Sequence, residues 1–380
     1  MKILFRKEEL NSAMVPLMCA VSSKNVMPAT AGVLMKTIGT DAVELCSYDL
    51  EKGVRTSVPA QVIEEGCYVI NAVKLNQILK TLTEEELIIE VDDNCSANIT
   101  SGRSEFSMPA LPERDFPSLP ELTGEANFSF PQKVLKNMIG KTLFAVATTD
   151  QRPIYCGVYF EIKSGKIIAV SCDSFRLAYT EQIGEIKDVD KNSDVDETFI
   201  IPGKTLMELM KFLSDDIDDE VMIRLGRKHV TFEIGNLVFF SRLLEGQYLA
   251  YNKYIPTDST IFVKIDKTSF ISSLEKAALI SEEKAQIKNF VKCSFKGDLL
   301  CVSANAVSGK VYDEVPIEKT GDDLEIAFTC RYLLEALRVC DSDTLKLSMS
   351  GPLRAMVIEP AADADKGSFL FVTLPTRMKA

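Results

Sequence analysis

Apolar stretches separated by polar corners, with tight turns at Gly or Asp, recur three times along this chain. Gly32 to Val58 (GVLMKTIGTDAVELCSYDLEKGVRTSV), Gly157 to Gln182 (GVYFEIKSGKIIAVSCDSFRLAYTEQ) and Phe290 to Val315 (FVKCSFKGDLLCVSANAVSGKVYDEV) each read as apolar strand, tight turn, apolar strand, polar corner, strand. A second block follows each first one. Tyr68 to Leu111, Phe199 to Leu244 and Ala327 to Pro375 read as a strand, a helix led by Leu75, Leu206 or Leu333, and two or three further strands. Gly32 to Gly157 is an offset of 125 and Ile70 to Ile201 one of 131, so the unit is a whole domain, too large for a solenoid repeat. The expectation is an α+β chain of three repeated domains, 1–125, 126–253 and 254–380, each with two helices packed on antiparallel sheets.

Helical periodicity supplies those two helices. The first set spans about Lys7 to Val21, Pro131 to Val146 and Asp266 to Ile280. Pro131 suits a first helical turn and Asp266 an N-cap, whereas Pro16, inside the first pattern, predicts a kink or a shifted start. Leu135, Ile139, Leu143 and Val146 share one face, as do Phe270, Ile271, Leu274 and Ala278, while Lys133, Lys136 and Lys141 share a polar arc. The second set reads NAVKLNQILKTL, PGKTLMELMKFL and TCRYLLEALRVC. Lys80, Lys211 and Arg338 occupy one register in all three, and Lys204 matches Arg331 seven residues before it. Seven residues is nearly two helical turns, which predicts Lys204 with Lys211, and Arg331 with Arg338, on a face opposite the leucines. A solvated helix face and a row of bases turned toward a polyanion both fit this register.

Composition narrows the classes. With 380 residues, 46% hydrophobic and 26% charged, each third can bury its own core. No apolar run approaches the ~18 residues needed to span a bilayer, so no membrane partner is expected. The start MKILFRKEEL turns charged too early for a signal peptide, and a cytoplasmic protein is expected. The ten cysteines never reach a C-x-x-C spacing and are expected as reduced core residues, with no metal or cofactor. A net charge of −12 argues against nucleic acid unless acids and bases occupy different surfaces. His229 is the single histidine, so a histidine-dependent triad or a multi-histidine metal site cannot be built. The GKT triplets at Gly140 and Gly203 lack the glycine that a phosphate loop requires five residues earlier, where Leu135 and Thr198 stand. No enzyme is expected.

Four motifs point to a family. They are Arg152-Pro153 and Gly157 followed by Ser171-Cys172-Asp173-Ser174-Phe175-Arg176-Leu177-Ala178; Phe106-Ser107-Met108 followed by Glu113-Arg114-Asp115-Phe116-Pro117; Ser241-Arg242-Leu243-Leu244-Glu245-Gly246 running on to Tyr251 and Pro256; and Leu374-Pro375-Thr376-Arg377-Met378. In type and order they resemble the bacterial DNA polymerase III beta subunit, the sliding clamp, over the whole chain.

The resemblance implies three DNA-clamp domains and a head-to-tail homodimer closed as a ring around duplex DNA, without sequence preference, as processivity factor of the replicative polymerase. Lys24, Lys80, Lys133, Lys136, Lys141, Lys204, Lys211, Arg331 and Arg338 would then face phosphates. It also implies a cleft where the polymerase catalytic subunit, the clamp loader and repair polymerases dock short peptides through leucine and phenylalanine anchors. Its carried-over positions are Tyr155, Cys172, Ser174, Phe175, Arg176, Leu177, Leu249, Lys253, Tyr254, Thr329, Tyr332, Val372, Leu374, Pro375, Thr376 and Arg377. Ser174-Phe175 replaces a Gly-His, Leu249 a proline and Thr376 a methionine of the common pattern. For the subunit contact the carried-over positions are Phe106 and Met108 against Leu279 and Ile280. A three-domain interaction scaffold would share the fold but neither the aligned bases nor the cleft, and an enzyme would need a convergent polar pocket that the sequence does not display.

Overall fold

The computed structural model describes residues 1–22, 27–120, 126–149, 151–163, 165–184, 187–188, 196–216, 218–281, 290–306, 309–361 and 367–377. Alternating segments form antiparallel strands, because the pleat sends every second side chain to one face. Ile261–Asp266 shows it residue by residue, with Ile261, Val263 and Ile265 buried and their neighbours exposed.

The α-helices are α1 (Lys7–Leu17), α2 (Ala72–Thr81), α3 (Gln132–Leu143), α4 (Gly203–Leu209), α5 (Lys267–Ser281) and α6 (Cys330–Arg338). Asp266 caps α5 as expected, its Oδ1 accepting from the Ser269 N–H at 2.7 Å. Pro131 closes the strand Ala126–Pro131 and stands just before α3. Pro16 shortens α1: it lacks a donor in the last turn, and Met18–Ala20 tighten into a 3-10 turn. The second helix of the middle repeat is also shorter than expected. Main-chain bonding ends at Met210, and Phe212 and Leu213 turn inward, the Phe212 ring lying 5.9 Å from Phe239. Lys211 therefore sits past the end of α4, and the predicted shared helical face with Lys204 does not form.

The chain divides into two compact units. One gathers Met1–Gln132 and Lys211–Leu243 with the strand Lys187–Asp188; the other gathers Lys133–Ile186, Ser193–Met210 and Leu244–Ala380. The first is built on a sheet of fourteen strands and the second on one of twelve. The middle repeat supplies strands to both, because main-chain pairing carries each sheet across a repeat boundary. In the first unit Lys52–Pro59 pairs with Leu237–Arg242, placing Val54 opposite Phe239 and Gly53 opposite Phe240. A Cβ on Gly53 would stand 2.1 Å from the Phe240 ring, so only glycine lets these strands approach. In the second unit Arg176–Ile183 pairs with Gly367–Thr373, placing Ala178 opposite Phe371. Phe239 and Phe371 are both fully buried.

In the second unit α5 and α6 lay Phe270, Leu274, Leu333 and Leu337 against Phe295, Phe328 and Phe371. Cys46, Cys293, Cys330 and Cys340 are buried thiols, and the other six cysteines are half-exposed. Burial pushes the Cys46 thiol up to about 12.

Candidate peptide cleft and basic helix faces

The motif Ser171 to Ala178 forms a strand end, a corner and a new strand, and this corner organises a cavity of about 290 Å³. Its walls are Tyr155, Cys172, Ser174, Phe175, Arg176, Leu177, Leu249, Tyr254, Val372 and Leu374, together with Arg152. Ten of the sixteen carried-over residues, scattered over more than 200 positions, are therefore brought together around one cavity within the second unit.

Each wall has a local cause. Leu177 and Val372 are opposite partners in adjacent strands, so both aim into the same space. Asp173 holds the corner, its Oδ1 accepting from the N–H groups of Phe175 and Arg176 at 3.0 Å each. The terminal segment is tied down twice: Leu374 N–H donates to the Phe175 carbonyl at 2.9 Å and Thr376 N–H to the Ala327 carbonyl at 2.7 Å. The Thr329 and Thr376 hydroxyls meet at 3.4 Å. On the other rim, Tyr248 stacks on Tyr159 at 5.0 Å, and the Tyr251 hydroxyl donates to Glu161 Oε2 at 3.1 Å, anchoring the turn Tyr251–Tyr254. Burial pushes the phenols of Tyr248 and Tyr251 well above their ordinary range, with Glu161 adding to the second. Both remain protonated at neutral pH.

Arg176 is 8% exposed and joins the corner to α6. Its guanidinium pairs with Asp173 Oδ2 at 2.9 Å and with Glu335, and lies 4.5 Å from the Tyr332 ring and 5.3 Å from Phe144. Such a buried cation is stable only while its partners remain. Tyr332 thus backs the cleft without lining it. Lys253 and Arg377 are exposed beside the cleft, and Pro375 is half-buried. Arg152, 4.3 Å over the Tyr155 ring, was present in the motif but was missed as a wall residue. A larger depression of about 680 Å³ elsewhere is lined by Lys264, Asp266, Glu318 and Asp343 among others. Its charged rim suits an apolar anchor poorly.

The basic positions divide. Lys80 on α2, Lys133 on α3, Lys204 on α4, Lys211 in the following turn, and Arg331 and Arg338 on α6 are exposed, and Lys136 is half-exposed. Arg338 pairs with Glu275 at 2.9 Å and Arg331 with Glu335 at 3.8 Å. Lys141 differs. It is 8% exposed, with its ammonium 2.6 Å from Asp341 and 5.1 Å from the Phe369 ring, and so serves packing rather than an exposed arc. Lys24 lies outside the described residues.

Of the contact residues, Leu279 is 81% exposed on α5, Phe106 and Ile280 are half-exposed, and Met108 is buried. Among the described residues, no helix is long and apolar enough to cross a membrane, and no cluster of three or more metal-binding side chains occurs.

Repeated α+β domains joined strand to strand, with an apolar peptide-sized cleft beside a strand corner, define the class of DNA clamps. The DNA polymerase III beta subunit family is described by N-terminal, central and C-terminal domains, which match residues 1–120, 129–249 and 252–376. The chain belongs to that family. It is 32% identical to the beta sliding clamp of Halalkalibacterium halodurans, over 94% of this chain and 95% of that one. It is 30% identical to that of Bacillus subtilis, over 96% and 97%. The crystal structure of the Bacillus subtilis DNA polymerase sliding clamp superposes with a TM-score of 0.92 at 28% identity, covering all of both chains.

Proposed function

We propose that two copies of this chain close head to tail around duplex DNA as a non-catalytic sliding clamp, and that the cleft docks short peptides of polymerases and clamp loaders. The observation that carries this reading is an unfinished strand pairing. Lys52–Pro59 and Arg176–Ile183 are equivalent strands of the first and second repeats, and each pairs with the last strand of the next repeat. The equivalent strand of the third repeat is Gly309–Thr320. Among the described residues, its Gly309–Pro316 half pairs only with Leu299–Ala306. The last strand of the first repeat is Ser104–Pro112, whose Ser104–Pro109 half likewise pairs only with Ser96–Ser101. Bare edges of this kind recruit another chain.

The register follows from the two finished joints. Phe239 stands opposite Val54 and Phe371 opposite Ala178; Val54 and Ala178 each stand two residues into their strands, as Phe239 does in Leu237–Arg242. Phe106 and Val311 hold those places in the open edges. Carried over, Phe106 of one copy faces Val311 of the other and Met108 faces Gly309. Both then lie over the end of α5, where Ile280 Cδ1 is 3.7 Å from a Cβ built on Gly309. Phe106 is the one phenylalanine of the three equivalents left half-exposed in the chain.

Lys80, Lys133, Lys136, Lys204, Lys211, Arg331 and Arg338 supply the DNA-facing charge in this reading, with Lys141 left out. A ring needs only weak, sequence-blind attraction, since phosphate contacts position without reading bases. The deciding test is retention on DNA: the loaded chain should remain on a nicked circle and leave once that circle is linearised. Equal retention on both would mean ordinary binding and refute a clamp.

A further inference from the structure

Ser174 adopts a backbone φ of +74°, a left-handed conformation that non-glycine residues rarely take. The strained residue sits in a corner held on both sides. Asp173 accepts from the N–H groups of Phe175 and Arg176 at 3.0 Å, and the Phe175 carbonyl accepts from Leu374 N–H at 2.9 Å. The result is an immobilised backbone that carries an outward ring: Phe175 is 57% exposed at the cleft mouth. Its ring leans on Tyr332 at 6.1 Å, and Tyr254, 60% exposed, lines the same cavity. An exposed phenylalanine gives the fold little, and a pinned one loses little further freedom when a ligand covers it.

We propose that Phe175 is a specificity-determining residue: it presents a preorganised aromatic face that selects partner peptides carrying an aromatic side chain beside their leucine and phenylalanine anchors. The inference rests on the cleft reading above. Charge argues for an aromatic ligand over a cationic one. The Arg176 and Arg331 guanidiniums already lie 4.5 and 5.5 Å from the Tyr332 ring, and Arg152 covers Tyr155 at 4.3 Å. Those two tyrosine rings thus already carry cations, paired at Arg176 and Arg331 with Asp173 and Glu335, whereas a neutral ring gains offset contact with Phe175.

The test is titration calorimetry of the full chain with synthetic peptides that share a glutamine-leucine and leucine-phenylalanine pattern. They differ in bearing Trp, Leu, Arg or Ala on either flank of the anchors. On one flank, the Trp peptide should bind about threefold to tenfold more tightly than the Ala peptide. That gain should vanish in Phe175→Ala and survive in Phe175→Tyr. A gain of the same size in Phe175→Ala, or a Trp peptide no better than the Leu, Arg or Ala peptides, overturns the inference and leaves the cleft standing. A chain that binds none of the peptides overturns the cleft reading and this inference with it.

Discussion

Replacing Phe106 by Ala tests the subunit contact at the place where the chain offers its own internal control. Phe106, Phe239 and Phe371 are equivalent in the three repeats, and the latter two are fully buried within the chain. Half-exposed Phe106 would lose at most roughly 80 Å² of apolar surface on association, worth about 2 kcal/mol per joint at ~25 cal/mol per Å². A closed ring has the joint twice, so Phe106→Ala should raise the dimer dissociation constant by about three decades. Phe239→Ala removes the same ring from a finished joint and should instead cost the fold about 3–5 kcal/mol, lowering Tm. Sedimentation from nanomolar to micromolar concentration reads the first effect, where the wild type should give twice the 42.1 kDa chain mass. Thermal unfolding reads the second. A wild type monomeric at micromolar concentration, or a Phe106→Ala chain that dimerises as tightly as the wild type, would refute the reasoning.

Other outcomes follow from the same geometry. Ser107→Cys with Lys310→Cys, directly opposed in the carried-over register, should form an intersubunit disulfide under mild oxidation, while Ser107→Cys with Val311→Cys, on opposite faces, should not; gel mobility distinguishes them. Changing Lys80, Lys211 and Arg338 together to Glu should weaken direct binding to unrelated duplexes alike and flatten its salt dependence with dimer mass unchanged, measured by fluorescence anisotropy. Deleting Leu374 to Ala380 removes a cleft wall and both terminal backbone ties, so peptide binding in calorimetry should be lost with the mass unaltered. Burial, with Arg242 and Lys228 nearby, holds His229 below its ordinary pKa. Its contribution to stability is therefore present above about pH 6.5 and lost as pH falls, and His229→Gln should lessen that acid-side drop in Tm.

Sequence showed what is local and hid what is brought from afar. Apolar runs bounded by Gly and Asp turns located the strands, and Asp266 marked the start of α5, because turns and caps are set by neighbouring residues. The cleft was legible only through its motifs, since no periodicity predicts that Leu177 and Leu374 line one cavity. Lys141 was misread as part of an exposed arc because its partner, Asp341, lies 200 residues away. Glu335, which grips Arg176 from 159 residues off, carried no local signal at all. Past the end of α4, Phe212 meets Phe239, again a contact that local spacing does not announce.

The repetition of one joint has a consequence for how such a ring would open. Two of its copies in each chain are closed by strands on the same polypeptide, which keeps the partners at an effective concentration of about millimolar or above. The third draws on the free concentration of a second molecule for its first joint, and the other then closes within a complex held by that single non-covalent joint. Chemically similar seams thus differ in permanence by connectivity alone. A machine that passes DNA into the ring has only to strain the assembly evenly, and the break will fall between subunits, leaving every chain intact to close again.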